Sequence, residues 1–303
     1  MPLLNAGLPF LTTTSPDVGL SERQLRDAIH GGALRRVFRG VAVDVRSPDT
    51  RDLRLAAASL VLPRDAVVSD HSAAWLYGAD TAPPGDMRDL RLMTVVPHGH
   101  VRSVSSRMRT RQTCLPDGDV RVVRGVAVTS PQRTAADLLR LSWRPYALAA
   151  GDALLRADVV DLATLGEYLA PLRRLPGLKQ AKELAPLLDG RANRHGESWM
   201  RMRIIDAGLP IPDLDHVIRE SDAKEWHLDS YFVASRLASE YDGRANHSTA
   251  ADTEHDGGRR VHIGFVHSIR FVIAHRENLF GEDPAYELEL GDALGCAVRP
   301  RTW

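Results

Sequence analysis

The run His227-Leu-Asp229-Ser-Tyr-Phe-Val-Ala-Ser-Arg-Leu-Ala-Ser-Glu240-Tyr-Asp242-Gly243 spaces three carboxylates around what reads as a β-hairpin. His227 to Val233 and Leu237 to Tyr241 are aromatic and β-branched runs, which suit a pleated, half-buried surface. If two strands pair about a turn centred between Ala234 and Ser235, Val233 faces Arg236 and Asp229 faces Glu240, at roughly 4.5–5.5 Å between Cβ atoms. The two-residue period then puts Ala238, Glu240 and Asp242 on one face. Two carboxylates that close repel unless a cation sits between them. Mg²⁺ is held in this way, by one or two carboxylates plus phosphate oxygens, so Asp229 and Glu240 are the candidate metal ligands. The plainer alternative makes Glu240 and Asp242 solvent-facing residues of an edge strand, paired with Arg236 or Arg244. Replacing Asp229 or Glu240 by Ala is expected to leave folding intact, because it relieves repulsion between neighbouring carboxylates.

The order of elements around this hairpin adds to the reading. Glu197-Ser-Trp-Met-Arg-Met-Arg is followed by Ala207-Gly-Leu-Pro-Ile-Pro, Leu228-Asp229, Glu240-Tyr-Asp-Gly, and Asp256 with Arg259 and Arg260. Residues 193–282 thereby resemble the nuclease-like domains related to very-short-patch repair endonucleases, within the PD-(D/E)xK superfamily. The resemblance implies a restriction-endonuclease-like α/β fold and a Mg²⁺ site surrounded by Glu197, Asp229, Glu240 and Asp242. It also implies phosphodiester cleavage, with Asp242 or His247 orienting the nucleophile. The sequence departs from the pattern at three places. Asn246 stands where a histidine is usual, with His247 next; the strand carries no lysine, leaving Arg244 or His247 to supply its charge; and Gly257-Gly258 interrupt the helix that should carry Arg259.

These residues must be positioned by a chain of 303 residues, which is long enough for two or three domains. Apolar content of 44% suffices for packed cores. No apolar run approaches the length of a membrane span and no signal-peptide pattern opens the chain, so a cytoplasmic protein is expected. Cys114 and Cys296 lack any Cys-x-x-Cys spacing and read as free thiols. Only Lys179, Lys182 and Lys224 of the 39 basic residues are lysine, a skew that a GC-rich genome explains most simply. Net charge is zero, yet residues 1–150 carry 20 Arg against 14 acidic residues, and the remainder carries 19 basic against 25 acidic. This asymmetry of +6 and −6 suggests a polyanion-binding N-terminal half.

Ser21-Glu22-Arg23-Gln24 is a capping box, Leu20 can staple on Leu25, and Gly31-Gly32 stop the helix. Leu34-Arg35-Arg36-Val37-Phe38-Arg39-Gly40-Val41-Ala42-Val43 then reads as a short wing bearing three arginines. A helix followed by a basic wing is the layout of a winged helix-turn-helix, in which wing residues meet phosphates. Arg23 and Gln24 on the helix, with Arg35, Arg36 and Arg39 on the wing, are the candidate DNA-contacting residues. A helix packed on a hairpin with solvated arginines is the alternative. Gly19 to Val43 also resembles the N-terminal winged-helix domain of AbiEi-type antitoxins, which implies DNA binding, promoter autoregulation and a cognate toxin partner. The stretch before Gly19 is short, and the first helix of that motif is expected to be truncated.

The resemblance continues through Asp65-Ala-Val-Val-Ser-Asp-His-Ser-Ala-Ala-Trp and Gly125-Val-Ala-Val-Thr-Ser-Pro-Gln-Arg-Thr. Each reads as a strand leading into a capped helix, with Ser69 or Ser72 at one cap and Thr129 or Ser130, followed by Pro131, at the other. His71 and Arg133 are expected to orient the chain at those starts. Residues 146–190 read as helical. His255, His262, His267 and His275 fit no metal-ligand spacing, and phosphate-loop, nucleophile-elbow and zinc-protease motifs are absent. The expected architecture is α/β: a winged helix-turn-helix at 1–50, an antitoxin-like α/β and helical domain at 51–190, and a nuclease-like domain at 191–303. The expected function is double-stranded DNA binding, with Mg²⁺-dependent cleavage by the C-terminal domain. The alternative is a non-catalytic antitoxin or autorepressor whose nuclease fold is degenerate.

Overall fold

The computed structural model describes residues 4–83, 91–99, 106–221, 224–243, 250–301 and 303. They form two units, Met1–Ser142 with Ala157–Pro186, and Trp143–Arg156 with Leu187–Trp303. The expected boundary near 190 falls close to Leu187, while Trp143–Arg156 belongs to the second unit.

In the first unit, β1 (Phe10–Leu11), β2 (Leu34–Phe38) and β3 (Val41–Asp44) form an antiparallel sheet of order β1-β3-β2. Helix α1 (Glu22–His30) precedes the β2–β3 hairpin and is capped as the sequence predicts. Ser21 Oγ accepts from the Gln24 N–H at 3.3 Å and Gln24 Oε1 accepts from the Ser21 N–H at 2.9 Å. Its apolar stripe buries Leu25 against Leu34 and Ala42, with Leu20 packed on the same cluster. Ahead of α1 the described residues make β1 and two 3-10 segments, Leu4–Gly7 and Thr12–Val18, the second with Pro16 inside, and no α-helix. Val41 and Val43 face a different cluster from Ala42, so β3 is buried on both faces, and the expected alternation of Val41, Val43 and Val45 ends at Val45, which is exposed.

The same unit holds a five-stranded mixed sheet of order β6-β5-β4-β8-β7. Its strands are β4 (Val67–Val68), β5 (Leu92–Pro97), β6 (Met108–Thr113), β7 (Val120–Val123) and β8 (Val126–Thr129). Helices α2 (Arg51–Ser59), α3 (Asp70–Tyr77) and α4 (Pro131–Leu141) accompany it. Ser130 caps α4 by accepting from the Arg133 N–H at 3.2 Å, with Pro131 at the first position. Ser69 holds the N-cap position of α3 but bonds Asp70 instead, and Ser72 Oγ accepts from the Met93 N–H. Arg133 orients its neighbourhood as expected. It is buried and donates to Asp137 at 2.9 Å, Asp119 at 2.6 Å, Thr113 Oγ1 and the Cys114 carbonyl. Asp137 also receives Arg140 at 2.8 Å and Arg111 at 2.5 Å, and Arg111 reaches Asp70 at 3.0 Å. Burial would push the Asp137 carboxyl up, but the three guanidiniums hold it below the usual range.

The second unit begins with α5 (Arg144–Arg156); α6 (Leu162–Leu169) and α7 (Leu178–Leu184) return to the first. Helix α8 (His195–Asp206) packs along α5, and the buried Arg201 donates to Asp152 at 2.6 Å. A four-stranded sheet of order β12-β11-β10-β9 follows, from β9 (Asp213–Ser221), β10 (Lys224–Phe232), β11 (Leu237–Asp242) and β12 (Arg270–His275). β11 and β12 are parallel and connected through α9 (Ala250–His267), since a parallel pair needs a crossover. Trp199 and Met200 of α8 pack with Phe232, Leu237, Val272 and Tyr286 in one cluster, Tyr286 coming from α11 (Ala285–Leu294). The short helix α10 (Arg276–Leu279) adds Leu279 to it. A second cluster sets Ile263 of α9 against Ala238, Tyr231 and Ile269. The described residues are therefore mixed α/β with three sheets. α9 runs without a break through Gly257-Gly258, contrary to the interruption expected there.

Candidate functional site

The β10–β11 hairpin adopts the register that its spacing predicts. Ser230 pairs with Ser239, Tyr231 with Ala238 and Phe232 with Leu237, so Asp229 and Glu240 are the next opposed residues. The turn closes at Arg236, in the left-handed region at φ 45°. Asp229 Oδ2 accepts from the Tyr241 N–H at 2.9 Å across the two strands. Burial pushes the Asp229 carboxyl up, and the nearby Glu240 charge adds to this.

Glu197 comes from the first turn of α8 and joins the same neighbourhood. Its Oε2 accepts from the Asn193 N–H at 2.7 Å. Burial first, then the charge of Asp229, push its carboxyl up to about 7. Gly196 lets α8 come this close to the sheet, because a Cβ there would run into the Tyr241 ring.

Glu240 is not the solvent-facing edge residue of the plainer alternative: it is 2% exposed. Among the described residues its partners do not include Arg236. Arg259 Nη2 donates to Oε1 at 2.5 Å and Arg260 Nε to Oε2 at 2.8 Å, both from α9. Arg259 also donates to the His227 carbonyl. Both Glu240 oxygens are thus taken by guanidiniums, which supply the compensating charge a metal would supply. Among the described residues no three His, Cys, Asp or Glu side chains converge to hold a metal ion. In this arrangement Arg259 and Arg260 compensate the Glu240 charge. Asp242 is half-buried and lies opposite His275 of β12 in the ladder. Arg244, Asn246 and His247 fall outside the described residues, as does the Asp256 side chain. The α9 arginines carried a signal in the sequence: Arg259 and Ile263 are four apart, hence on one side of a helix, and Ile263 is buried against the sheet.

The candidate DNA-contacting residues separate by environment. Arg36 and Arg39 are exposed, Arg39 at the hairpin turn beside Gly40. Arg35 is half-buried and donates to the Ser47 carbonyl at 3.2 Å. Arg23 is exposed and lies 3.8 Å from Asp27 on the same helix. Gln24 spends its carbonyl oxygen on the capping box, leaving only its amide N–H groups toward solvent.

Residues 65–189, which include the five-stranded sheet and its Asp137 cluster, match the model of the AbiEi antitoxin C-terminal domain. Over 240 residues the chain is 31% identical to the uncharacterized proteins MT2308 and Rv2248 from two strains of Mycobacterium tuberculosis, spanning 79% of this chain and 85% of each relative. The chain belongs to the same family as these two proteins, and the AbiEi match covers its residues 65–189. A crystal structure of the RV2827C protein from Mycobacterium tuberculosis aligns with 59% of this chain and 71% of its own length, at 14% identity and a TM-score of 0.33. Among the described residues, no helix is long and apolar enough to cross a membrane.

Proposed function

We propose that this protein is an AbiEi-type DNA-binding antitoxin and autorepressor that engages duplex DNA through α1 and the β2–β3 hairpin and pairs with a cognate toxin. The observation that carries the reading is the capped helix directly followed by a hairpin that exposes Arg36 and Arg39, in a chain whose residues 65–189 match the antitoxin domain. Exposed guanidiniums at such a hairpin suit phosphate oxygens, which position a protein on a duplex without reading its sequence. The C-terminal unit is proposed as a degenerate nuclease-like module, because Glu240 is neutralised by Arg259 and Arg260. Mg²⁺-dependent cleavage would require both guanidiniums to leave Glu240.

The test is a titration of the protein against duplex DNA from its own promoter region, at several salt concentrations, with nicking assayed alongside in Mg²⁺ or Mn²⁺. Binding is expected to weaken steeply with salt, with no metal-dependent nicking. Salt-independent binding would sink the DNA reading. Nicking abolished by Asp229→Ala would reinstate the endonuclease.

A further inference from the structure

The first unit contains a cavity of about 390 Å³ bounded by β2, α3 and β5. Volumes of about 300–1,000 Å³ are those of small-molecule sites. Its apolar wall is Phe38, Trp75, Pro83 and Met93, with the Phe38 and Trp75 rings edge-to-face at 5.4 Å. Its polar wall is dominated by guanidiniums. Among the described residues, Arg35, Arg36, Arg54, Arg91 and Arg109 line it together with Asp49 and Asp80.

These arginines do different things. Arg54 is fixed: it forks onto Asp49 at 3.0 and 2.7 Å, donates to the Trp75 carbonyl at 2.7 Å, and lies over the Trp75 ring at 4.2 Å. Arg35 is tied to the Ser47 carbonyl. Arg36 and Arg109 meet no carboxylate or carbonyl among the described residues, and they enter the cavity from β2 and β6. Unengaged guanidiniums on two walls, with a fixed third beside an aromatic face, suit an anion carrying a planar apolar body. Arg prefers phosphate because its planar donor fork matches two phosphate oxygens.

We propose that this cavity is a binding site for a nucleoside diphosphate, with its phosphates on Arg36 and Arg109 and its base against the Trp75–Met93 wall. Because Arg36 also belongs to the basic hairpin, the site would connect a small anion to the face proposed for DNA.

Calorimetry on the full chain with ADP, GDP, pyrophosphate and adenosine tests this. At least one diphosphate should bind saturably and about tenfold or more tighter than pyrophosphate or adenosine, a difference of about 1.4 kcal/mol. Arg109→Glu and Arg36→Ala should each weaken that binding at least tenfold without altering the circular dichroism spectrum. Arg109 is exposed, so its replacement leaves the fold intact, and Arg109→Gln serves as the milder variant. No saturable binding at millimolar probe, pyrophosphate binding as tightly as the nucleotides, or unchanged affinity in both Arg109 variants would each overturn the assignment. Failure of DNA binding in the previous test, with nucleotide binding retained, would leave this site standing.

Discussion

Glu197 and Glu240 share one neighbourhood, yet their charges are handled in opposite ways, and mutation should reveal it. Glu197 has no guanidinium on its oxygens in the contacts described, and its carboxyl is lifted from the ordinary 4.5 to about 7. Between those values the folded chain holds a proton that the unfolded chain has released, so this group's contribution to stability is lost as pH rises from about 4.5 through 7. Glu197→Gln should remove that slope and raise Tm at pH 8, by about 2–4 °C for each kcal/mol relieved, as read by calorimetry at pH 5 and 8. Unchanged pH dependence would count against the lifted carboxyl. Glu240→Ala should behave conversely. It strands two largely buried guanidiniums and should cost about 3 kcal/mol in urea unfolding, which reverses the sequence expectation that this change leaves folding intact. The hairpin arginines are graded too. Arg36→Ala and Arg39→Ala should each flatten the salt dependence of DNA binding by about 0.9 log units per lost contact. Arg35→Ala should flatten it less, since Arg35 is held by Ser47.

At the scale of elements, α9 matters most, because it carries both arginines of the Glu240 clamp. Gly257 and Gly258 lie inside it, exposed, and a Cβ at either would meet nothing within 4 Å. Replacing each with Ala should stabilise the chain by about 1 kcal/mol, the helix-interior preference for Ala over Gly, checked by denaturant midpoints. No gain from the double variant would mean that these glycines serve something besides helix geometry. Gly196→Ala, by contrast, should destabilise, because it forces α8 off Tyr241. The hairpin register and the α1 cap were legible in the sequence because both rest on local spacing: a two-residue period about a short turn, and a Ser-x-x-Gln box. The Glu240 clamp was not legible. It depends on how far α9 rotates as it crosses from β11 to β12, and neither propensity nor periodicity fixes that angle.

Over the whole molecule, the strand-then-helix readings that start at Asp65 and Gly125 hold as β4–α3 and β8–α4, because Gly, Ser and Pro punctuation at Gly125, Ser130 and Pro131 marks where strands give way to helices. The placement of Trp143–Arg156 in the second unit was illegible, since a buried amphipathic helix does not say which neighbour it covers. The cavity was equally hidden, its lining being drawn from segments as far apart as Arg35 and Arg109.

The scarcity of lysine then takes on a second meaning. Arg133 serves two carboxylates, a threonine hydroxyl and a backbone carbonyl at once, and the fully buried Arg203 reaches Glu287 and three separate backbone carbonyls. A lysine offers three donors from a single nitrogen, whereas a guanidinium spreads five across a rigid plane. At these junctions the codon bias toward arginine coincides with a geometric requirement. A recoded gene that exchanged arginines for lysines at equal net charge would keep the isoelectric point and lose the joints.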